Sequence, residues 1–66
     1  MDWINFLKVM AMEEHAAKAR YGWAAQMAET PQLRIVFEKL RDEEAFHAQF
    51  LDGERAKLEK LLAKEE

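Results

Sequence analysis

The chain contains no cysteine, one proline and two glycines among its 66 residues. The missing cysteines exclude a disulfide framework and every cysteine-based zinc or iron site, which are common staples of so short a chain. Because a chain of this length buries little core by itself, we expect a bound metal or a partner chain to stabilise it. No apolar run approaches the roughly 18 residues of a membrane span, so a membrane is not an expected partner.

An excess of positive charge is also missing. Ten basic residues against 13 acidic ones give a net charge of −3. The broad basic surface that nucleic-acid binding requires is therefore lacking, and nucleic acid is not an expected partner. The opening segment, Met1-Asp2-Trp3, has no basic leader, and no small-residue cleavage site follows its apolar stretch. This pattern predicts residence in the cytoplasm rather than secretion.

Helix-breaking residues divide the chain clearly at one place, Thr30-Pro31. Threonine is a good N-cap, and proline fits the first position of a helix, where its missing N–H loses no partner. Ala, Leu, Glu, Lys, Met and Gln, which favour helices, dominate elsewhere. We therefore predict an all-α fold with helix 1 at about 3–28, capped by Asp2, and helix 2 at about 31–63.

Steps of four and three residues along each predicted helix trace a stripe of mainly apolar side chains. A two-residue connection would make the helices antiparallel, so residues 1–66 are predicted to form one helical hairpin. The stripe of helix 1 is Trp3, Leu7, Met10, Glu14, Ala17, Tyr21, Ala24 and Ala28. The stripe of helix 2 is Leu33, Phe37, Leu40, Glu44, His47, Leu51, Glu54, Leu58 and Leu61.

Three ionisable residues interrupt these stripes at one level, Glu14 on helix 1 and Glu44 and His47 on helix 2. At about 1.5 Å per residue they lie about 23, 22 and 26 Å from the turn, so their side chains can meet. An unpaired carboxylate in an apolar stripe is costly, and a divalent cation would offset the converging charges. Two carboxylates and an imidazole suit iron or manganese, and the i, i+3 spacing on helix 2 is typical of di-iron bundles. All three residues are therefore candidate metal ligands.

Other polar residues near the stripes have simpler interpretations. Tyr21 follows Glu14 by two turns, so its hydroxyl can hydrogen-bond a ligand carboxylate, although core packing also explains it. His15 is predicted to point to the flank opposite the stripe. Glu54 lies about 15 Å beyond the other candidates, next to Gly53, where helix 2 is expected to kink or fray. We expect neither His15 nor Glu54 to bind metal.

One hairpin offers three ligands, and a metal pair needs more. Two hairpins related by a two-fold axis would form a four-helix bundle that supplies four glutamates and two histidines. The short chain and the incomplete ligand set thus both predict a homodimer with two metal ions. A metal-free hairpin that dimerises through its stripes remains the alternative of another class.

Several spaced residues of this chain form a recognisable pattern. The matching run over residues 14–48 is Glu14-x-x-Ala17-x-x-x-Tyr21, Pro31-x-Leu33-x-x-x-Phe37-x-x-Leu40 and Arg41-Asp42-Glu43-Glu44-x-x-His47-Ala48. In this pattern the chain resembles the ferritin-like superfamily, specifically its rubrerythrin and encapsulated-ferritin branch. Rubrerythrin-like chains carry two ligand-bearing hairpins, whereas encapsulated ferritins, like this chain, carry one and build the four-helix centre between two subunits.

The resemblance implies a di-iron carboxylate protein in which Glu14, Glu44 and His47 bind iron and Glu44 bridges the two ions. It implies an enzyme, a ferroxidase that oxidises Fe(II) with dioxygen or peroxide, with Tyr21 beside the ligands. The closest enzymatic alternative is peroxide reduction in the rubrerythrin manner, which would need an external electron donor because this chain has no cysteine to hold a second type of iron site.

The resemblance also bears on partners. Encapsulated ferritins have acidic residues just outside the centre, of which Glu13 matches one and Ala16 replaces another. They also work inside a protein nanocompartment and carry a C-terminal tail that targets its shell, and no such tail follows the second stripe here. Apolar residues outside the stripes further predict that dimers associate into a larger ring, and these residues are Val9, Met12, Trp23, Ile35 and Phe46.

Overall fold

The computed structural model describes the backbone of residues 1–65 and the side chains of residues 1–63. Over that range the chain forms two α-helices, α1 (Trp3–Met27) and α2 (Pro31–Glu65), and no strand. The predicted all-α class is confirmed. Helix α1 ends one residue before the predicted boundary and α2 continues two residues beyond it. The connection has three residues, 28–30, instead of the two expected.

Side-chain caps fix where both helices begin. The Asp2 carboxylate accepts a hydrogen bond from the Asn5 backbone N–H at 3.0 Å. The Thr30 hydroxyl accepts one from the Leu33 backbone N–H at 3.1 Å, and Pro31 occupies the first helical position after it. Each cap satisfies a backbone N–H that has no partner inside its helix. Both N-caps are those that the sequence predicts.

The two helices run antiparallel, because Gly22 of α1 lies against Arg41 while His15, earlier in α1, contacts Asp52, later in α2. The molecule measures 55 × 15 × 13 Å. At about 1.5 Å per residue α2 accounts for this whole length, and its last turns extend beyond α1. Helix α2 passes through Gly53 without interruption, so the fraying predicted there does not occur.

Small residues are the most deeply buried side chains of the hairpin. Ala11, Ala25 and Ala48 are 2%, 6% and 0% exposed, and among the described residues they are the only buried apolar ones. None of them belongs to the stripes predicted from the sequence, whereas Trp3, the first residue of the helix 1 stripe, is exposed. The most deeply buried positions therefore lie beside the stripes, whose residues are mostly half-buried. Alanines at these positions let the two backbones approach closely, which larger side chains would prevent.

Most of the large apolar side chains consequently remain accessible to solvent. The exposed ones are Met1, Trp3, Phe6, Val9, Met12, Trp23, Met27, Leu33, Ile35, Val36, Phe46, Phe50, Leu61 and Leu62. So many on a molecule of this size are more than the scattered apolar residues normal for a monomer surface. Neither helix, over the part of the chain described, has an apolar stretch long enough to cross a membrane.

Candidate metal centre

The middle of the hairpin brings the three predicted ligands together. Glu14 lies near the midpoint of α1, and Glu44 and His47 lie one turn apart on the same face of α2. One ligand atom from each side chain lies within 4.8 Å of the other two. We call these three residues the Glu/His cluster.

Distances within the Glu/His cluster are short but do not describe a closed hydrogen-bonded network. The His47 Nδ1 atom lies 3.6 Å from Glu14 Oε2 and 3.8 Å from Glu44 Oε1. Both separations exceed the usual length of an N–H···O hydrogen bond, about 2.7–3.2 Å. Two carboxylates thus face one imidazole, and the group has a surplus of negative charge.

One oxygen of the cluster has no partner of its own. Glu14 Oε2 is buried and makes no hydrogen bond. Leaving a buried polar atom unsatisfied costs about 1–3 kcal/mol, and more when the group is charged. A cation bound at this oxygen would remove that cost.

The donor set and its spacing fit a divalent transition-metal ion. Two ligand atoms about 2.1 Å from one ion lie at most about 4.2 Å apart. The two His47 separations fall below that limit, and all three ligand atoms lie within 4.8 Å of one another, so a small side-chain adjustment would let them share an ion. Carboxylate oxygens with a neutral imidazole nitrogen suit iron, manganese or zinc better than calcium, which prefers oxygen ligands alone. The residues present therefore fit a bound metal.

The Glu/His cluster is covered on one side only. The side chains of Glu14 and Glu44 are 30% and 21% exposed, whereas that of His47 is 54% exposed. A groove of about 360 Å³ opens beside the cluster, lined by Glu14, His47, Phe46, Phe50 and Leu51. The three candidate ligands thus border an open, mainly apolar groove.

Tyr21 lies half-buried on α1, two turns after Glu14. Among the described residues its hydroxyl makes no hydrogen bond with Glu14 or Glu44. Its suggested contact with a ligand carboxylate therefore stays a prediction. Glu54, half-buried beyond the cluster, pairs with Lys57 at 3.3 Å and has no part in it.

His15 corrects one expectation from the sequence. Instead of pointing away from helix 2, its Nε2 atom lies 3.0 Å from Asp52 Oδ2 across the helix pair. This hydrogen bond is the main reason that the pKa of Asp52 lies below its usual value, and Arg55, 3.7 Å away, contributes less. Position 15 thus borders α2, on the flank of α1 where Ala11 is buried.

Asp52, the partner of His15, lies outside both stripes and was not predicted from the sequence. Counted from the turn, His15 and Asp52 differ by about 12 Å in height, so a comparison of equal levels does not pair them. Side chains of a helix tilt toward its N-terminus, which brings side chains from antiparallel helices toward each other here. A comparison of residue levels that includes this tilt would identify His15 and Asp52 as a possible pair.

No family model matches the chain, and searches of curated proteins and of solved structures give no match either. The spacing of the ligands, their convergence in the hairpin and the open groove beside them are thus the observations on which a functional interpretation rests.

Proposed function

We propose that two copies of this hairpin pair into a ferritin-like four-helix bundle that holds two iron ions between them and oxidises Fe(II) with dioxygen or peroxide. The observation that carries the proposal is the convergence of Glu14, Glu44 and His47, with a buried Glu14 oxygen that has no partner. Their number supports a dimer, because two sets of three supply the four carboxylates and two imidazoles of a di-iron site.

Each ligand has a distinct part in this proposal. Glu44, the least exposed of the three, is suited to bridge both ions, and Glu14 and His47 to complete the coordination of one ion each. Carboxylates favour the ferric state because they offset its higher charge, and they can bind through one oxygen or two as the coordination number changes.

Two Fe(II) ions held by these residues would supply two electrons, one from each ion. Two electrons and two protons convert dioxygen into hydrogen peroxide, or hydrogen peroxide into two waters, so no one-electron radical need be released. The chain's own contribution is to hold the ligands in place and to exclude bulk water with the apolar residues around the groove, Phe46, Phe50 and Leu51.

The ferroxidase test is the consumption of Fe(II) by the purified protein in air or with added peroxide. We expect the absorbance of Fe(III) to rise faster than in buffer, and His47→Ala to reduce this rate to the buffer level. Continued turnover with peroxide and an external reductant, without net storage of Fe(III), would favour the rubrerythrin-like alternative. A dimer without bound metal would favour the helical dimerisation module.

Tyr21→Phe tests whether the tyrosine hydroxyl assists the ligands. The variant keeps the half-buried ring and removes only the hydroxyl, so thermal stability should change little. We expect its Fe(II) oxidation rate or its metal affinity to fall by about tenfold, as for other residues that position metal ligands. Unchanged kinetics and affinity would assign Tyr21 to packing alone.

A further inference from the structure

A shallow groove runs along α2, and every residue that lines it belongs to that helix. It extends from Ile35 to His47 and encloses about 530 Å³. The lining residues recur three or four positions apart, which places them on one side of the helix. We call this side the outer face of α2, and its residues before His47 are Ile35, Glu38, Lys39, Asp42, Glu43 and Phe46.

Large apolar side chains stand at the two ends of the outer face. Ile35 is 63% exposed and Phe46 is 66% exposed. They lie 11 residues apart in the sequence, which is about 16 Å along the helix. Neither belongs to the stripes predicted from the sequence. Exposed apolar side chains of this size are what the centre of a protein–protein interface covers.

Carboxylates lie between these two apolar ends. The outer face has three acidic residues, Glu38, Asp42 and Glu43, and one basic residue, Lys39. Asp42 pairs with Arg41 at 3.0 Å. Among the described residues neither Glu38 nor Glu43 forms a salt bridge, although Lys39 and Glu43 have the spacing of a helical ion pair. The outer face therefore keeps two carboxylates whose charge no neighbour offsets.

We propose that the outer face of α2 docks a basic, amphipathic helix of another protein. Two apolar side chains of that helix, about three turns apart, cover Ile35 and Phe46, and lysine or arginine side chains between them pair with Glu38 and Glu43. Recognition of a helix in a groove combines apolar anchors with complementary charge in this way. The surface consists of residues other than the three of the Glu/His cluster, so it goes beyond the proposed metal site.

The charge of the outer face favours this occupant over others. A symmetric contact between two copies of the face would bring the carboxylates of Glu38 and Glu43 together with their own counterparts, and like charges at an interface are unfavourable. An anionic lipid surface and nucleic acid are disfavoured for the same reason, and the net charge of −3 adds to that repulsion. A basic helix is attracted by the carboxylates and also covers the apolar ends.

A designed peptide tests the proposal directly. The probe is a dye-labelled helix of about 14 leucine and lysine residues with the leucines on one side, and its length of about 21 Å spans the groove. Binding is measured by fluorescence anisotropy with a chelator present, so the result does not depend on the metal site. We expect saturable binding that weakens about tenfold between roughly 20 and 200 mM salt, because screening weakens the ion pairs. The same peptide with glutamate in place of lysine should not bind.

Two variants locate the binding on the outer face. Ile35→Ser removes one apolar end, and we expect it to raise the Kd for the lysine peptide about tenfold. Glu38→Gln removes one charge and keeps the size of the side chain, and we expect a rise of about fivefold. Trp23→Ser removes an equally exposed apolar residue from α1, and Glu29→Gln removes an exposed charge near the turn. Both of these matched controls should bind the peptide as the natural chain does.

A lysine peptide that does not bind, or one that binds the natural chain and both outer-face variants equally, would overturn the proposal. Equal losses in the two control variants would also overturn it, because they would show attraction to the whole chain rather than to one face. Light scattering without peptide tests for a second copy. If Ile35→Ser lowers the mass of the natural assembly, another copy of the chain occupies the outer face and the proposal is wrong. The metal content of the same variants, loaded with Fe(II), reports separately on the proposed function.

Discussion

The contact between the two helices and the face around His47 are built in opposite ways. The contact is made by Ala11, Ala25 and Ala48, which are buried and small. The face around His47 carries large apolar side chains such as Phe46 and Phe50, which are exposed in the single hairpin. The three polar residues of the Glu/His cluster lie among them.

The two regions also differ in how much apolar area the single hairpin removes from water. Alanine burial removes little apolar area from water, so the contact holds two backbones close but contributes a modest share of the hydrophobic stabilisation. In the proposed dimer, covering the other face would add the larger share, and a bound cation would offset the charges of the cluster. On that proposal the hairpin alone is half of a stable unit.

Among changes to the face around His47, removal of a proposed metal ligand should reduce metal binding most. We expect Glu44→Ala to weaken metal binding by about 100-fold or more, because every dimer loses two carboxylates at once. Glu14→Ala and His47→Ala should act in the same direction. Glu54→Ala, on the same helix but paired with Lys57, is the control and should bind metal normally in a titration followed by calorimetry. Full metal content in the Glu44 variant would disprove the ligand assignment.

Removal of the metal should lower the thermal stability of the protein, and this is the next largest expected effect. At a free metal concentration about 100 times the Kd, binding stabilises the folded state by about 2.7 kcal/mol. For a chain of this size that corresponds to about 10–20 °C in Tm. Thermal melts with Mn(II) and with a chelator, at one protein concentration, measure this difference. Equal Tm values would contradict the account.

Filling the helix contact should have a smaller effect that does not depend on metal. Ala48→Leu inserts a larger side chain at a fully buried position, and we expect it to destabilise the fold by about 1–3 kcal/mol in urea unfolding. Ala56→Leu, at an exposed position of the same helix, is the control and should change stability by less than about 0.5 kcal/mol. If both variants were equally stable, Ala48 would not mark the closest approach of the helices.

The pair formed by His15 and Asp52 should have the smallest effect. Because the pKa of Asp52 is lowered in the folded state, its ionised form adds stability above its usual pKa of 3.8 and loses it as the pH falls through the lowered value. We expect metal-free Asp52→Asn to melt slightly below the natural chain at pH 7 and together with it in strong acid. Asp42→Asn, whose ion pair with Arg41 stays within α2, should not lower the melting temperature at pH 7. A difference that persists in acid would exclude this titration as its cause.

Local sequence signals predict much of this fold. Asp2 and Thr30 are identifiable caps because their hydrogen bonds reach only three residues along the chain. The convergence of Glu14 with Glu44 and His47 is predictable because helical rise and a short connection fix their levels.

The edge of each apolar stripe that faces the neighbouring helix was not predictable in the same way. A two-per-heptad stripe marks the apolar side of a helix but not which edge of that side meets the neighbouring helix. The alanine contact and the His15–Asp52 pair depend on that rotation about the helix axis, which packing of the whole hairpin decides. The expectation for His15 was wrong for this reason.

Metal content measured together with molar mass tests the central claim most directly. The purified chain is loaded with Fe(II) without oxygen, freed of unbound metal and examined by elemental analysis and light scattering. We predict two ions for every two chains, in a dimer or in a ring made of dimers, and loss of the metal in Glu44→Ala. A monomer, or an assembly that retains no metal, would contradict the claim that two Glu/His clusters form one site.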